Sequence, residues 1–67
     1  MHLTDDDVYH VYFDVWGQPC RTWFVELEDA VSWLQTCYEK GFLAPVCIFH
    51  GSLHLVYNKA QLIEVMP

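Results

Sequence analysis

Between residues 8 and 26 the chain alternates large apolar and polar side chains with a period of two. The stretch 8–16 reads V-Y-H-V-Y-F-D-V-W and the stretch 20–26 reads C-R-T-W-F-V-E, with Gly17, Gln18 and Pro19 between them. A period of two puts successive side chains on opposite faces of a strand, so the pattern predicts a β-hairpin. Tyr9, Val11, Phe13 and Val15 take one face, and His10, Tyr12, Asp14 and Trp16 take the other. A two- or four-residue loop predicts Asp14 opposite Arg21, Tyr12 opposite Trp23 and His10 opposite Val25. A three-residue loop would drive Arg21 onto the Val11 and Phe13 face, and an unpaired buried guanidinium is costly. The core face then adds Cys20, Thr22 and Phe24, and the outer face adds Arg21, Trp23 and Val25.

From residue 27 the period lengthens to that of a helix. Leu27, Val31, Leu34 and Tyr38 form one stripe over residues 27–40, flanked by Ala30 and Cys37. Glu28 and Asp29 suit the positive start of a helix dipole and Lys40 its negative end, and Gly41 supplies a left-handed stop. Glu26, just before the helix, is not a favoured capping residue. Beyond Pro45, V-C-I-F-H, G-S and L-H-L-V-Y predict a second hairpin turning on Gly51 and Ser52. That turn sends Val46, Ile48, His50, Leu53, Leu55 and Tyr57 to one face and Cys47, Phe49, His54 and Val56 to the other. Asn58 stands three residues before Gln61, a capping-box spacing that opens a short terminal helix; a fifth strand is the alternative for residues 58–67. The order β-β-α-β-β predicts a single α+β domain over residues 1–67, an antiparallel or mixed sheet with one helix on one face. Residues 1–7 read as a flexible acidic terminus.

Composition narrows what such a domain does. The chain has 67 residues, 54% of them hydrophobic, with four Tyr, four Phe and three Trp, which excludes the composition of a disordered chain. No apolar run is long enough to span a membrane, and the first residues lack the pattern of a signal peptide, so a cytoplasmic protein is expected. Nine acidic residues against three basic ones give a net charge of −6, which disfavours direct binding of nucleic acid and favours a basic protein surface as partner.

Candidate chemistry is sparse. Cys20, Cys37 and Cys47 are odd in number and lack zinc-knuckle spacing, so buried free thiols are expected and neither a disulfide framework nor a metal site. His50 and His54 fall on opposite faces in the predicted hairpin and cannot share an ion there. A set of His10, Cys47 and His54 would share the outer face if the hairpins adjoin, but the simpler reading is that these are sheet residues. The glycines end separate elements and form no phosphate loop, and the acidic residues near the helix start are explained by its dipole. No catalytic residue, cofactor or enzymatic activity is expected.

The outer aromatic face stands out. Tyr12, Trp16 and Trp23 are expected to anchor a partner, with Asp5, Asp6, Asp7 and Asp14 as an acidic rim that attracts its basic surface. Two plainer readings compete: Leu62, Ile63, Val65 and Met66 folding back over those rings, or a homodimer that buries the face in its own interface. The strand H-V-Y-F-D-V-W, the strand T-W-F-V, the helix start L-E-D-A-V-S-W-L and the strand V-C-I-F-H-G together resemble small phage-encoded proteins that disable a host machine. These include inhibitors of host RNA polymerase, a phage antitoxin against a host RNase toxin, and anti-CRISPR proteins. The resemblance lies in the order of elements over about three quarters of the chain, and no site residue is carried over from it. It implies a stoichiometric inhibitor from a phage or mobile element.

Overall fold

The computed structural model describes residues 5–65. A single 3-10 turn over Asp5–Asp7 leads into β1 (Tyr9–Val15), β2 (Gln18–Phe24), α1 (Leu27–Glu39), β3 (Ala44–His50), β4 (His54–Tyr57) and α2 (Lys59–Val65). The strands form one antiparallel sheet in the order β2-β1-β3-β4, so the two hairpins adjoin along β1 and β3. This is the expected α+β architecture with its terminal helix, and residues 59–65 do not form a fifth strand. Of the segment expected to be flexible, residues 1–4 lie outside the described residues, and Asp5–Asp7 form the 3-10 turn.

Both helices pack on one face of the sheet. Val11 and Ile48, paired across β1 and β3, are fully buried beneath Ala30 and Leu34 of α1 and Leu62 of α2, with Leu43 closing the cluster. Around them pack Tyr9, Phe13, Val15, Phe24, Leu27, Val31 and Cys37, as the strand and helix periods predict. Trp33 joins them from outside the expected stripe. Its ring meets Phe13 at 5.3 Å and Phe24 at 5.5 Å, while Tyr38, placed in the stripe by spacing, stands partly exposed. Rings on β1 and β2 reach a third helical position, which a narrow stripe does not anticipate.

The helix ends follow their local chemistry. Glu26 caps α1 with no side-chain hydrogen bond. At the other end Gly41, at φ +75°, donates to the Tyr38 carbonyl at 3.0 Å and Phe42 donates to Cys37 at 3.0 Å, which is a Schellman stop. For α2, the Asn58 N–H donates to Gln61 Oε1 and the Gln61 N–H donates to Asn58 Oδ1, both at 2.9 Å. This reciprocal box fixes the start of α2, and Gln35 of α1 reaches its end by donating to the Val65 carbonyl at 3.2 Å.

Two registers differ from expectation. In the first hairpin Val15 pairs with Gln18, so the loop is Trp16-Gly17, with φ of +55° and +81°. This sets Tyr12 opposite Arg21, His10 opposite Trp23 and Asp14 opposite Pro19, and the expected Asp14–Arg21 pair does not form. Proline is the reason. A Gly17-Gln18 loop would require Pro19 to close the turn with an N–H it lacks, whereas the observed register puts it at a non-hydrogen-bonded position of an edge strand. The slip is by two residues along the partner, so every side chain that stays within a strand keeps its expected face, and Trp16 alone of the outer-face set in β1 is lost to the loop.

In the second hairpin His50 pairs with His54 across a three-residue loop, Gly51 to Leu53, rather than across Gly51 and Ser52. One added loop residue exchanges the faces: Leu55 lies opposite Phe49, and His54 lies opposite His50 on the same side. An irregularity between Ile48 and Phe49 then returns Tyr57 to the Ile48 side. The cause is tertiary. The Gly51 N–H donates to the Val8 carbonyl at 3.0 Å, and the backbone of Asp6 lies against the glycine, so the N-terminal turn shapes this loop.

Candidate functional site

The face of the sheet away from the helices is built from the even-numbered side chains of β1 and their neighbours. Cross-strand pairing arranges them in rows: Trp23, His10, Phe49 and Leu55 in one, Arg21, Tyr12 and Cys47 in the next, and Pro19, Asp14 and Ala44 in the last. None of these residues belongs to the core cluster. α2 buries Leu62 on the opposite side, so the terminal segment does not cover the outer rings as one reading expected. Met66 lies outside the described residues.

The rows have a graded surface. Trp23 is 58% exposed, and Val25 and Leu55 are about half exposed. Between them Tyr12 meets Phe49 edge to face, with ring centroids 5.9 Å apart and planes at 82°. That geometry suits the ring quadrupoles and holds both side chains in one pose. His10, flanked in register by Trp23 and Phe49, is only 6% exposed. Burial also pushes the Cys47 thiol above the ordinary thiol range, which keeps it protonated and a poor nucleophile. The face therefore presents apolar and aromatic area with polar edges.

The expected site residues are only partly brought together. Tyr12, Trp23 and Asp14 lie on this face. Trp16 does not: it sits in the β1–β2 turn at 95% exposure, beyond the end of the strand. The Asp5–Asp7 turn precedes the opposite end of β1 and packs on the β3–β4 loop, where the Ser52 hydroxyl donates to Asp6 Oδ1 at 3.4 Å. Asp6 and Asp7 thus stand at the end of the face nearest the Trp23 row, and exposed Glu26, Glu28 and Asp29 follow β2 at that same end. Phe49, Leu55, Cys47 and His10 complete the face. Pairing β1 with β3 is what joins them, and the alternation alone placed all but Leu55 correctly relative to their own strands.

The same end holds an open hollow of about 290 Å³ lined by Asp6, His50, Gly51, Ser52, Leu53 and His54. His50 packs against Tyr9 with ring centroids 4.6 Å apart and planes at 39°. His54 faces His50 and so parts from Cys47 and His10, which breaks up the trio considered from sequence. Among the described residues no three His, Cys, Asp or Glu side chains converge as metal ligands, and no helix is long and apolar enough to cross a membrane. Fold and face together define a small α+β domain with both helices of the described residues on one side of its sheet. No family model, curated protein or solved structure matches this chain.

Proposed function

We propose that this chain is an acidic protein–protein interaction module that binds a basic surface on its partner through the open face of the sheet. The observation that supports this most directly is the row of Trp23, His10, Phe49 and Leu55, exposed at Trp23 and Leu55, beside the edge-to-face Tyr12–Phe49 pair. Aromatic side chains lose little conformational freedom on binding and dominate interface energetics. Asp6, Asp7, Glu26, Glu28 and Asp29 put negative charge at that end of the domain, which fits a partner site rich in Lys and Arg. A site that normally handles nucleic acid has that chemistry. Occupying it would make the module a stoichiometric inhibitor, in keeping with the phage-like order of its elements, acting in the cytoplasm without catalysis or cofactor.

The test is replacement of Tyr12 and Trp23 together by alanine, followed by affinity capture from bacterial lysate and mass spectrometry. Both side chains lie outside the core cluster, so the variant should keep its circular dichroism spectrum. Loss of about 2 kcal/mol or more of binding, roughly a thirtyfold weaker complex, is expected if these rings are anchors. Undiminished capture by the folded double variant would remove the sheet face from the account.

A further inference from the structure

The molecule has a second exposed aromatic surface, at the end opposite its acidic turn. Asp14 pairs with Ala44 across β1 and β3, so the β1–β2 turn that carries Trp16 and the α1–β3 connection that carries Phe42 leave the sheet at the same end. Tyr38 lies in the last turn of α1, and Phe42 follows the Schellman stop at Gly41. Trp16 is 95% exposed, Phe42 62% and Tyr38 40%, while Leu43 between Phe42 and the sheet is buried. Three large rings thus stand at one end of the domain, Trp16 almost wholly in solvent and Phe42 and Tyr38 in part.

Trp16 is also held in a backbone conformation that disfavours it. Its φ of +55° lies in the left-handed region, which disfavours a bulky L-residue and where Asn or Gly normally opens such a turn. With the side chain in solvent, no packing within the chain offsets that strain. A contact made outside the chain would.

Charge selects the occupant. Asp6, Asp7, Glu26, Glu28 and Asp29 stand at the far end of β1, whose seven residues set the two ends roughly 20 Å apart. Near the aromatic end stand Asp14, Glu39 and Lys40, so the formal charge there is small. A chain of net charge −6 resists contact with its own copy on most approaches. Meeting through the aromatic ends, two copies hold their acidic clusters several screening lengths apart, at ~8 Å each in physiological salt.

We infer that Trp16, Tyr38 and Phe42 form the contact through which two copies of this chain associate end to end about a two-fold axis, with their acidic ends pointing apart. The contact is separate from the sheet face and leaves Tyr12 and Trp23 free in both copies. The three rings offer roughly half of the ~800 Å² per partner in an interface of standard size. The dimer is therefore weak and depends on concentration.

Sedimentation equilibrium of the full chain from about 10 μM to 1 mM should fit a reversible monomer–dimer equilibrium within that range. On dilution the Trp16 indole N–H resonance should shift while that of Trp23 stays fixed. Trp16→Asn should weaken the dimer at least tenfold while remaining folded, because Asn tolerates the left-handed region. Phe42→Ser should weaken it independently of the turn. A monomer at 1 mM overturns the inference, as does full dimerisation of the folded Trp16→Asn chain. A dilution shift at Trp23 in place of Trp16 would assign the contact to the sheet face and overturn it equally. Partner capture is read through Tyr12 and Trp23, so failure of either proposal is distinguishable from failure of the other.

Discussion

Gly51 meets two constraints at once, one from its own backbone and one from a neighbour distant in sequence. Its φ of +69° is in the region that only glycine enters without cost, and a Cβ there would lie 3.3 Å from both the Cα and the carbonyl oxygen of Asp6. Either constraint alone disfavours a side chain, and the neighbour is backbone, which cannot turn aside. Gly51→Ala should destabilise the domain by about 1–3 kcal/mol, read as a lower denaturant midpoint at unchanged slope. Amide exchange should also quicken at Gly51, whose N–H donates to the Val8 carbonyl. A neutral substitution would mean that the N-terminal turn peels away from the loop at no cost. Pro19 acts by the opposite route, through a donor it lacks. That missing N–H excludes the Gly17-Gln18 turn and places Trp16 in the loop, which removes it from the face where alternation had set it.

At the scale of elements, α2 is the piece whose existence rests most on one local device. It has seven residues, too few to persist alone, and it holds Leu62 against Val11 and Ile48. Asn58→Ala removes an acceptor from the reciprocal cap with Gln61 and should lower stability by about 1 kcal/mol, with the loss concentrated in amide exchange over residues 59–65. Uniform loss across the sheet would instead show that α2 and the sheet unfold as one unit. This cap was legible in the sequence because Asn58 and Gln61 carry it between themselves. So were the faces of β1 and β2 and the stop at Gly41, each set by neighbours along the chain. The pairing of the hairpins, the position of the Asp5–Asp7 turn and the length of the Gly51–Leu53 loop were not. Those depend on contacts between residues tens of positions apart, and alternation within a strand says nothing of them. The same limit separated the expected anchors: Tyr12 and Trp23 remained on one surface, while Trp16 went to the other end of the molecule.

Across the whole molecule, nine acidic and three basic residues make the field one-sided, and the structure gathers exposed carboxylates at the end where β1 begins and β2 ends. Long-range attraction between that end and a basic partner acts before contact, so it sets the encounter rate more than the lifetime of the complex. The aromatic rows act only at contact and govern the lifetime. For the proposed partner, raising ionic strength from about 0.05 to 0.5 M should slow association by tenfold or more as the screening length shrinks, with dissociation changed little. Replacing Glu26, Glu28 and Asp29 by their amides should reproduce much of that slowing at low salt and flatten the salt dependence. Alanine at Tyr12 and Trp23 should speed dissociation and leave the salt dependence of association intact. Stopped-flow or surface-based kinetics on the three proteins separates these terms. An association rate indifferent to salt in the parent chain would show that the acidic end takes no part in recognition and serves only to keep this apolar domain in solution.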